Sequence, residues 1–196
     1  MKKLVYIAGE PGSGKSSHVA RPLKKGGFGV ILHTDSISSR ACAHYTCSGG
    51  KAFPNLWMRW RHEFDDHENY PALLDAYSKS MQERKGSPLH SAHNIICEGV
   101  LSGHSRFRKL MLEILAQEGF VPDRVTQLAI DPPWEQLQKN FITRGRKKDQ
   151  DPEFTMERSQ DYKRRIQEQS ELPKFSTSEE CLQEAKSFLG RESDSG

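Results

Sequence analysis

The sequence predicts an α/β fold in which helices pack on a parallel β-sheet and a helical insertion interrupts the pattern. Two apolar runs, KLVYIA (3–8) and GVILHT (29–34), lie within about thirty residues of each other, which is the spacing of a β-α-β unit. Two further apolar runs, NIICEG (94–99) and RVTQLAI (124–130), alternate with segments of helical periodicity. A glycine-rich loop follows the first run directly. Together these observations are typical of a parallel sheet whose strands are joined by helices.

The first predicted helix begins at Lys15, directly after the glycine-rich loop. The alternation of strands and helices is then lost over residues 36–93, where glycines and prolines interrupt the helical patches. The best of these patches are 54–64 and 71–85. We therefore interpret 36–93 as an inserted, mostly helical cap.

The second half of the chain returns to the alternation. Segment 104–119 places apolar residues at helical spacing and ends in a glycine. Segment 132–145 begins near prolines, which the first turn of a helix tolerates. A polar helix is predicted over about 152–169. The last predicted helix, within 176–190, has a serine or threonine cap with glutamates in its first turn.

Composition indicates one globular domain over residues 1–190 and a disordered tail at 191–196. Hydrophobic residues make up 35% of the 196 residues, and no apolar run approaches the roughly 18 residues of a membrane span. The apolar segment after MKK is too short for a secretory signal, so we expect a cytoplasmic protein with reduced cysteines and no membrane partner. The net charge of +3 permits an anionic substrate but does not by itself indicate nucleic acid. The spacing of Cys42, His44 and Cys47 fits no regular structural zinc site.

The glycine-rich loop, GEPGSGKSS (9–17), satisfies the phosphate-binding pattern G-x-x-x-x-G-K-[ST]. Glycines let backbone N–H groups close around phosphate oxygens, Lys15 adds a positive charge near the β and γ phosphates, and the Ser16 hydroxyl can ligate Mg²⁺. Because a strand precedes the loop and a helix follows it, we predict a three-layer P-loop NTPase fold of the kinase type that binds ATP and Mg²⁺. The residues predicted to contact the nucleotide in this loop are Gly9, Gly12, Ser13, Gly14, Lys15, Ser16 and Ser17.

Two carboxylates are predicted to lie at the same edge of the sheet as this loop. Asp35 stands just past the second strand, and Glu98 ends the third. Asp35 is the predicted general base, which takes the proton of an acceptor hydroxyl, and the alternative is a helix N-cap. Glu98 is predicted either to hold Mg²⁺, directly or through water, or to orient the acceptor.

The charged stretch RGRKKDQD (144–151) lies between two predicted late helices, the place where small kinases carry a lid over the triphosphate. Arg144 is the arginine predicted to stabilise the migrating phosphoryl group, and Arg146 is predicted to contact the nucleotide. A solvated charged face is the alternative interpretation of this stretch.

Three parts of the sequence carry a family resemblance: MKKLVYIAGEPGSGKSS, then Asp35 with Arg40 a few residues on, then IDPPWEQLQKNFITRG before a polar helix. They resemble the 5′-hydroxyl kinase domain of bacteriophage polynucleotide kinases and the wider group of P-loop kinases that includes zeta toxins. The resemblance covers residues 1–40 and 94–165.

The resemblance implies which residues carry catalysis. In that family the P-loop lysine and serine, an aspartate base after the second strand and an arginine at the end of the D-x-P-W…R-G helix act together. The matching positions are Lys15, Ser16, Asp35 and Arg144. The family's third strand ends in an aspartate-containing turn, whereas this chain has CEGVLSG with Glu98 in the corresponding place, and segment 41–93 does not match.

Segment FPNLWMRWRHEF (53–64) contributes to the prediction of the acceptor, because its tryptophans can stack on bases and its arginines can meet phosphates. A helix that packs its apolar stripe on the core is the alternative. The residues predicted to contact the acceptor are Arg40, Glu98, Trp57 and Arg61.

These residues predict an ATP-dependent kinase that phosphorylates a hydroxyl of a nucleic acid, either a 5′ end or a hydroxymethylated base, as in phage DNA modification. One alternative is a small-molecule kinase acting on a nucleoside, nucleotide or nucleotide sugar. The other is a nucleotide-binding switch without transfer.

Overall fold

A computed structural model describes residues 1–47, 68–144 and 172–190 of the chain, apart from the side chains of Cys47, Phe141, Ile142 and Arg144. The predictions for the helices at 54–64 and 152–169, and for the tail, lie outside the described residues.

A sheet of five parallel strands, in the order β2-β3-β1-β4-β5, forms the middle of the domain. Its strands are β1 (Lys3–Gly9), β2 (Val30–His33), β3 (Asn94–Glu98), β4 (Arg124–Ile130) and β5 (Lys174–Phe175). The central strand β1 is buried along its whole length, as expected of a parallel strand covered on both faces. The register places Ile7 opposite Glu98 and Gly9 opposite Ile130, so the ends of three neighbouring strands lie side by side.

The helices occupy both faces of this sheet. A π-helical segment (Lys15–Ala20) follows β1 and runs directly into α1 (Arg21–Lys25). The other helices are α2 (Thr34–Cys47), α3 (Tyr70–Gln82), a short 3₁₀-helix (Val100–Gly103), α4 (Ser105–Gln117), α5 (Trp134–Arg144) and α6 (Ser178–Gly190). Every described helix is too short or too polar to cross a lipid bilayer.

Side chains of β1 alternate between two cores, which makes the domain three layers thick. Leu4 and Tyr6 pack with helices α2, α3 and α4 on one face of the sheet. Val5 and Ile7 pack with the π-helical segment, α1 and α6 on the other face. Full burial of an aliphatic or aromatic side chain of this kind contributes about 1.5–3 kcal/mol. The predicted three-layer α/β P-loop NTPase fold is therefore confirmed.

Helices α2 and α3 belong to the layer on one sheet face, and both lie mostly within the segment read as an insertion. Helix α3 matches the predicted patch at 71–85, whereas α2 was implied only by the N-cap alternative for Asp35. The buried apolar stripe of α2 consists of Ile37, Ala41, Cys42 and Tyr45, and most other residues of the helix are polar. So small an apolar stripe gives a weak periodic signal.

The predicted cap of the last helix is confirmed in detail. The Thr177 Oγ1 accepts the N–H of Glu180 at 3.2 Å, and the Glu180 carboxylate accepts the N–H of Thr177 at 3.1 Å. This reciprocal pair is a capping box, which satisfies two N–H groups that the helix itself leaves without partners. It fixes the start of α6 next to the glycine-rich loop.

Candidate functional site

The candidate site lies at the carboxyl edge of the sheet, where β1, β3 and β2 end next to each other. Open parallel sheets bind ligands in the crevice at this edge, at the point where the strand order reverses. The loop after β1 contributes residues 10–14, and β3 contributes Glu98. The last residue of β2, His33, lies opposite Glu98 in the strand register. Asp35 follows two residues later, in the first turn of α2.

The loop after β1 is folded tightly around its glycines. A Cβ atom at Gly9 would lie 2.5 Å from the Ser13 Oγ, so a side chain there would displace the Ser13 hydroxyl. Gly12 and Gly14 have φ angles of 95° and 90°, in the left-handed region that favours glycine. The Ser13 N–H donates to the Glu10 carbonyl at 3.1 Å. The buried Ser13 hydroxyl has no hydrogen-bond partner among the described residues, so it is one polar group inside the loop that a ligand can satisfy.

Lys15 is buried at the start of the helical segment, with 5% of its surface exposed. Its Nζ donates a hydrogen bond to the Glu10 carbonyl at 3.2 Å. The loop's own backbone therefore holds the ammonium group at the carboxyl edge of the sheet.

Glu98 joins the glycine-rich loop to the end of β2. Its Oε2 accepts the Ser16 hydroxyl at 2.9 Å, and its Oε1 lies 2.5 Å from the Nδ1 of His33. Burial acts to raise the pKa of Glu98. The hydrogen bond from His33, the charge of Lys15 and the hydrogen bond from Ser16 outweigh burial, so the pKa lies below its usual value. Glu98 is therefore a buried, ionised carboxylate with both oxygens engaged.

His33 is the partner that sequence analysis missed. Its hydrogen bond to Glu98 raises the pKa of the imidazole, and partial burial acts in the opposite direction. About half of the side chain is exposed. The signal for this contact is the β2–β3 register, which the sequence of β2 alone does not contain.

Asp35 is held at the tip of β2 by the backbone of the neighbouring loop. Its Oδ1 accepts the N–H of Val100 at 3.1 Å, and its Oδ2 makes no hydrogen bond to a described residue. Helix α2 begins at Thr34, so Asp35 lies inside the first turn and its carboxylate contacts the 3₁₀-helix. The N-cap interpretation of Asp35 for its own helix was therefore wrong.

Gly99 allows the two strand ends to come together. It has a φ of 154°, and a Cβ atom there would overlap the Thr34 hydroxyl and lie 2.7 Å from the Asp35 Oδ1. The Thr34 hydroxyl itself donates to the Glu98 carbonyl at 3.0 Å. A side chain at this position would collide with Thr34 and with the Asp35 carboxylate.

Helix α5 contacts the glycine-rich loop through a residue that was also not predicted. The Asn140 Nδ2 donates to the Gly12 carbonyl at 2.7 Å, and the Asn140 Oδ1 accepts from Gln136 at 3.0 Å. The helix that ends at Arg144 is thus tied to the backbone of the loop. An asparagine in a polar helix face gives no sequence signal for such a contact.

An open pocket of about 470 Å³ lies farther along the same edge of the sheet. It is lined by Asp131, Lys174, Phe175, Ser176 and Glu180, which come from the ends of β4 and β5 and the start of α6. The pocket thus combines one aromatic side chain with polar groups close to the start of α6.

The pocket and the glycine-rich loop meet at α6. A Cβ atom at Gly14 would lie 3.2 Å from Ser178, the first residue of that helix. One continuous stretch of the sheet edge therefore carries the loop, Glu98 and the pocket.

Arg40 belongs to α2, and its side chain extends toward α3. Its Nη2 reaches the Ser80 carbonyl at 3.5 Å, and its buried Nε has no hydrogen-bond partner among the described residues. Ser17 is exposed on the π-helical segment. Trp57, Arg61 and Arg146 lie outside the described residues, as does the side chain of Arg144.

Cys42 and His44, from the spacing that fits no regular zinc site, have different surroundings. Cys42 is buried, and the His44 Nε2 lies 3.0 Å from a carboxylate oxygen of Glu83. Within residues 1–47, 68–144 and 172–190 no three His, Cys, Asp or Glu side chains come together as a metal site.

The donor groups at the loop fit a nucleotide with Mg²⁺. The Ser16 hydroxyl and the Glu98 carboxylate supply oxygen ligands, which Mg²⁺ prefers, and this ion usually binds one or two protein groups together with phosphates. The glycines add no side chains to the loop, the Ser13 hydroxyl has no described partner and can bind a ligand, and Lys15 supplies a positive charge.

Comparison with known proteins agrees with this geometry. The sequence matches the AAA domain family AAA_33 over residues 4–169, a range that includes the glycine-rich loop, Asp35 and Glu98. The chain belongs to this AAA domain family. It is a P-loop domain of the kinase-like type.

One solved structure that matches this chain is the gluconokinase from Sinorhizobium meliloti 1021. It shares 13% sequence identity with this AAA domain at a TM-score of 0.46, and the match covers 96% of this chain and 92% of that one. A search among curated proteins found no match. The finer resemblance to polynucleotide kinases stays a prediction.

Proposed function

We propose that this AAA domain is an ATP-dependent kinase that transfers the γ-phosphate to a hydroxyl group. The observation that carries the proposal is the convergence of three groups on one edge of the sheet. These are Lys15 in the glycine-rich loop, the hydrogen-bonded pair of Ser16 and Glu98, and the Asp35 carboxylate at the tip of β2. Phosphoryl transfer needs such positioning and charge more than covalent help from the protein.

The donor half of the site holds the nucleotide. Backbone N–H groups of the loop and the Lys15 ammonium bind the phosphates, and Ser16 with Glu98 holds Mg²⁺. When bound, Mg²⁺ neutralises charge on the β and γ phosphates. The pocket beside α6 is our candidate for the nucleoside, since Phe175 offers an aromatic face and Ser176 a polar group.

The acceptor half depends on Asp35. The acceptor oxygen attacks the γ-phosphorus, its proton passes to the Asp35 Oδ2, and the bond between that phosphorus and the β–γ bridging oxygen breaks, so ADP leaves. The Val100 N–H holds the other Asp35 oxygen, which leaves Oδ2 for the acceptor. Arg144, at the end of α5, is the arginine proposed to stabilise the charge of the migrating group.

We further propose that the acceptor hydroxyl belongs to a nucleic acid, a 5′ end or a hydroxymethylated base. The resemblance of the P-loop, Asp35 and the α5 motif to polynucleotide kinases supports this choice. Arg40, Trp57 and Arg61 are the residues proposed to contact such an acceptor.

The test is transfer from radiolabelled ATP with Mg²⁺. The acceptors are single-stranded DNA with a free 5′ hydroxyl, duplex DNA with hydroxymethylated bases, RNA, and a panel of nucleosides and nucleotides. Label in a polymer supports the proposal. Label only in small molecules would support the kinase and contradict its nucleic-acid acceptor. ATP consumption at background with every acceptor would contradict the kinase and favour a nucleotide switch.

Salt gives a second measurement on the same reactions. Binding of a polyanion weakens steeply as salt rises, because bound counterions are released, whereas binding of a neutral small acceptor hardly changes. A KM for the labelled acceptor that does not depend on salt would contradict a nucleic-acid acceptor.

The matched control for the transfer assay is Asp35→Asn, which keeps the Oδ1 acceptor for Val100 and loses the proposed base.

A further inference from the structure

His33 contacts the candidate site, but the proposed reaction gives it no role. It ends β2, and its ring lies against Glu98, the carboxylate that also accepts the Ser16 hydroxyl. The three side chains form a chain from the tip of β2 to the glycine-rich loop: His33 Nδ1, the two Glu98 oxygens, and Ser16 Oγ.

The direction of these hydrogen bonds follows from the chemistry of the groups. An ionised carboxylate only accepts, so the Nδ1 of His33 must carry the proton and donate it to Oε1. The Ser16 hydroxyl donates to Oε2, which leaves the lone pairs of its oxygen for another partner. A hydroxyl oriented in this way offers an acceptor oxygen to a cation.

The carboxylate needs this second hydrogen bond to hold its orientation. The last torsion of a glutamate side chain is broad, so a single hydrogen bond from Ser16 leaves the carboxylate plane poorly fixed. The His33 contact at 2.5 Å fixes the other oxygen. His33 itself is anchored by the backbone of β2, whose His33–Glu98 register is set by the parallel pairing with β3.

The contact joins an exposed partner to a buried one. About half of the His33 side chain is exposed, whereas the Glu98 side chain is buried. The contact therefore occupies one oxygen of a buried carboxylate at the centre of the candidate site.

We propose that His33 is a positioning residue for the Mg²⁺ site: its Nδ1–H fixes the Glu98 carboxylate, which in turn orients the Ser16 hydroxyl toward the metal. The inference rests on the proposed function, because it assigns His33 a role in the same Mg²⁺·nucleotide site. Groups that orient metal ligands commonly change metal affinity about 10- to 100-fold when they are removed.

The test compares three variants by calorimetric binding of a non-hydrolysable ATP analogue at increasing Mg²⁺. His33→Leu removes the donor, and His33→Asn restores an N–H donor near the position of Nδ1. The matched control is His93→Leu, an exposed histidine just before β3, at the opposite edge of the sheet. We expect about 10-fold more Mg²⁺ for half-maximal binding in His33→Leu, recovery to within about 3-fold in His33→Asn, and no change in His93→Leu.

Each other outcome is decisive. Equal Mg²⁺ requirements in the wild type and His33→Leu would overturn the inference, while the proposed function would stand. Equal losses in the Leu and Asn variants would also overturn it, since the N–H donor would then not matter. Wild-type protein that binds the analogue no better with Mg²⁺ than without would overturn the proposed function and this inference together.

A spectroscopic readout does not depend on the metal at all. A long-range ¹H–¹⁵N spectrum of the ligand-free protein should show the His33 ring protonated at Nδ1 and hydrogen-bonded there. A neutral ring protonated only at Nε2 would contradict the hydrogen-bond direction on which the inference rests.

Discussion

Two buried lysines lie at opposite edges of the sheet. One contacts the carbonyls of a helix end, and the other lies near a carboxylate. Lys3, at the amino edge of β1, is 4% exposed, and its Nζ donates to the carbonyls of Phe188 and Leu189 at 3.0 and 3.2 Å. Those carbonyls belong to the last turn of α6, where helices leave acceptors without partners. Lys15, at the carboxyl edge, is 5% exposed, and its charge helps to lower the pKa of the nearby Glu98 carboxylate.

The comparison teaches that burial of a charge does not by itself mark a functional site. At the amino edge the charged group completes hydrogen bonds that the fold leaves open, so the role of Lys3 is structural. At the carboxyl edge Lys15 lies near Glu98, Ser16 and a glycine-rich loop in which the Ser13 hydroxyl has no partner among the described residues. That combination suits oxygen-rich ligands.

The largest effect is expected from Lys15→Met. The substitution removes the positive charge next to the proposed phosphates and lowers kcat/KM by about 10³, because such electrostatic groups act most strongly in the transition state. Steady-state kinetics with the acceptor found by the labelling assay measures it. Normal turnover in the folded variant would contradict a catalytic role for Lys15.

The next effect is expected from Asp35→Asn. Loss of a general base lowers kcat by about 10² or more, whereas the affinity for ATP stays nearly unchanged. The amide oxygen can still accept the Val100 N–H, so the fold at the tip of β2 is preserved. Single-turnover kinetics and nucleotide calorimetry separate the two quantities, and unchanged kcat would remove Asp35 from the mechanism.

Lys3→Met should affect stability and leave catalysis alone. It removes two charge-assisted hydrogen bonds to α6 carbonyls, so we expect a loss of about 2 kcal/mol in the free energy of unfolding. For a domain of this size that corresponds to a fall in Tm of about 4–8 °C. Calorimetry measures the Tm, and a fall in kcat in the folded variant would contradict the structural role.

The smallest effect is the pH dependence that His33 and Glu98 add to stability. The pKa of Glu98 is lowered from 4.5, so its contribution is present above that pH and is lost as the pH falls through the lowered pKa. The pKa of His33 is raised from 6.5, so its contribution is full below that pH and is lost as the pH rises through the raised pKa.

The two contributions overlap between pH 4.5 and 6.5. The difference in Tm between the wild type and His33→Leu should therefore be largest in that window and should shrink on both sides of it. Scanning calorimetry of ligand-free protein across this range measures the difference. A difference that does not vary with pH would show that the pair does not form in the folded protein.

Much of the fold could be predicted because the sheet is buried on both faces. The long parallel strands appear as continuous apolar runs, and the predicted 124–130 agrees with β4 (Arg124–Ile130). Helix α2 was implied only by the N-cap alternative for Asp35, because its buried stripe has few large apolar residues. Strand β5 escaped prediction because its two residues, Lys174–Phe175, are a strand only through their pairing with β4.

The site could be predicted as far as its local motif allows. The spacing of the glycines with Lys15 and Ser16 is contained in one short segment, so the loop was found directly. The contacts of His33 and Asn140 join segments 65 and 128 residues apart, and no local pattern encodes them. Predicting such contacts requires the strand register and the path of α5 beforehand.

The central claim is that the phosphate loop and Asp35 converge on one acceptor hydroxyl. A crystal structure with Mg²⁺ and a non-hydrolysable ATP analogue tests it most directly. We predict that the terminal phosphorus lies beside Lys15 and faces Asp35, with room between them for a hydroxyl oxygen about 3–3.5 Å from that phosphorus. A terminal phosphorus directed away from Asp35, with protein atoms filling the intervening space, would contradict the claim.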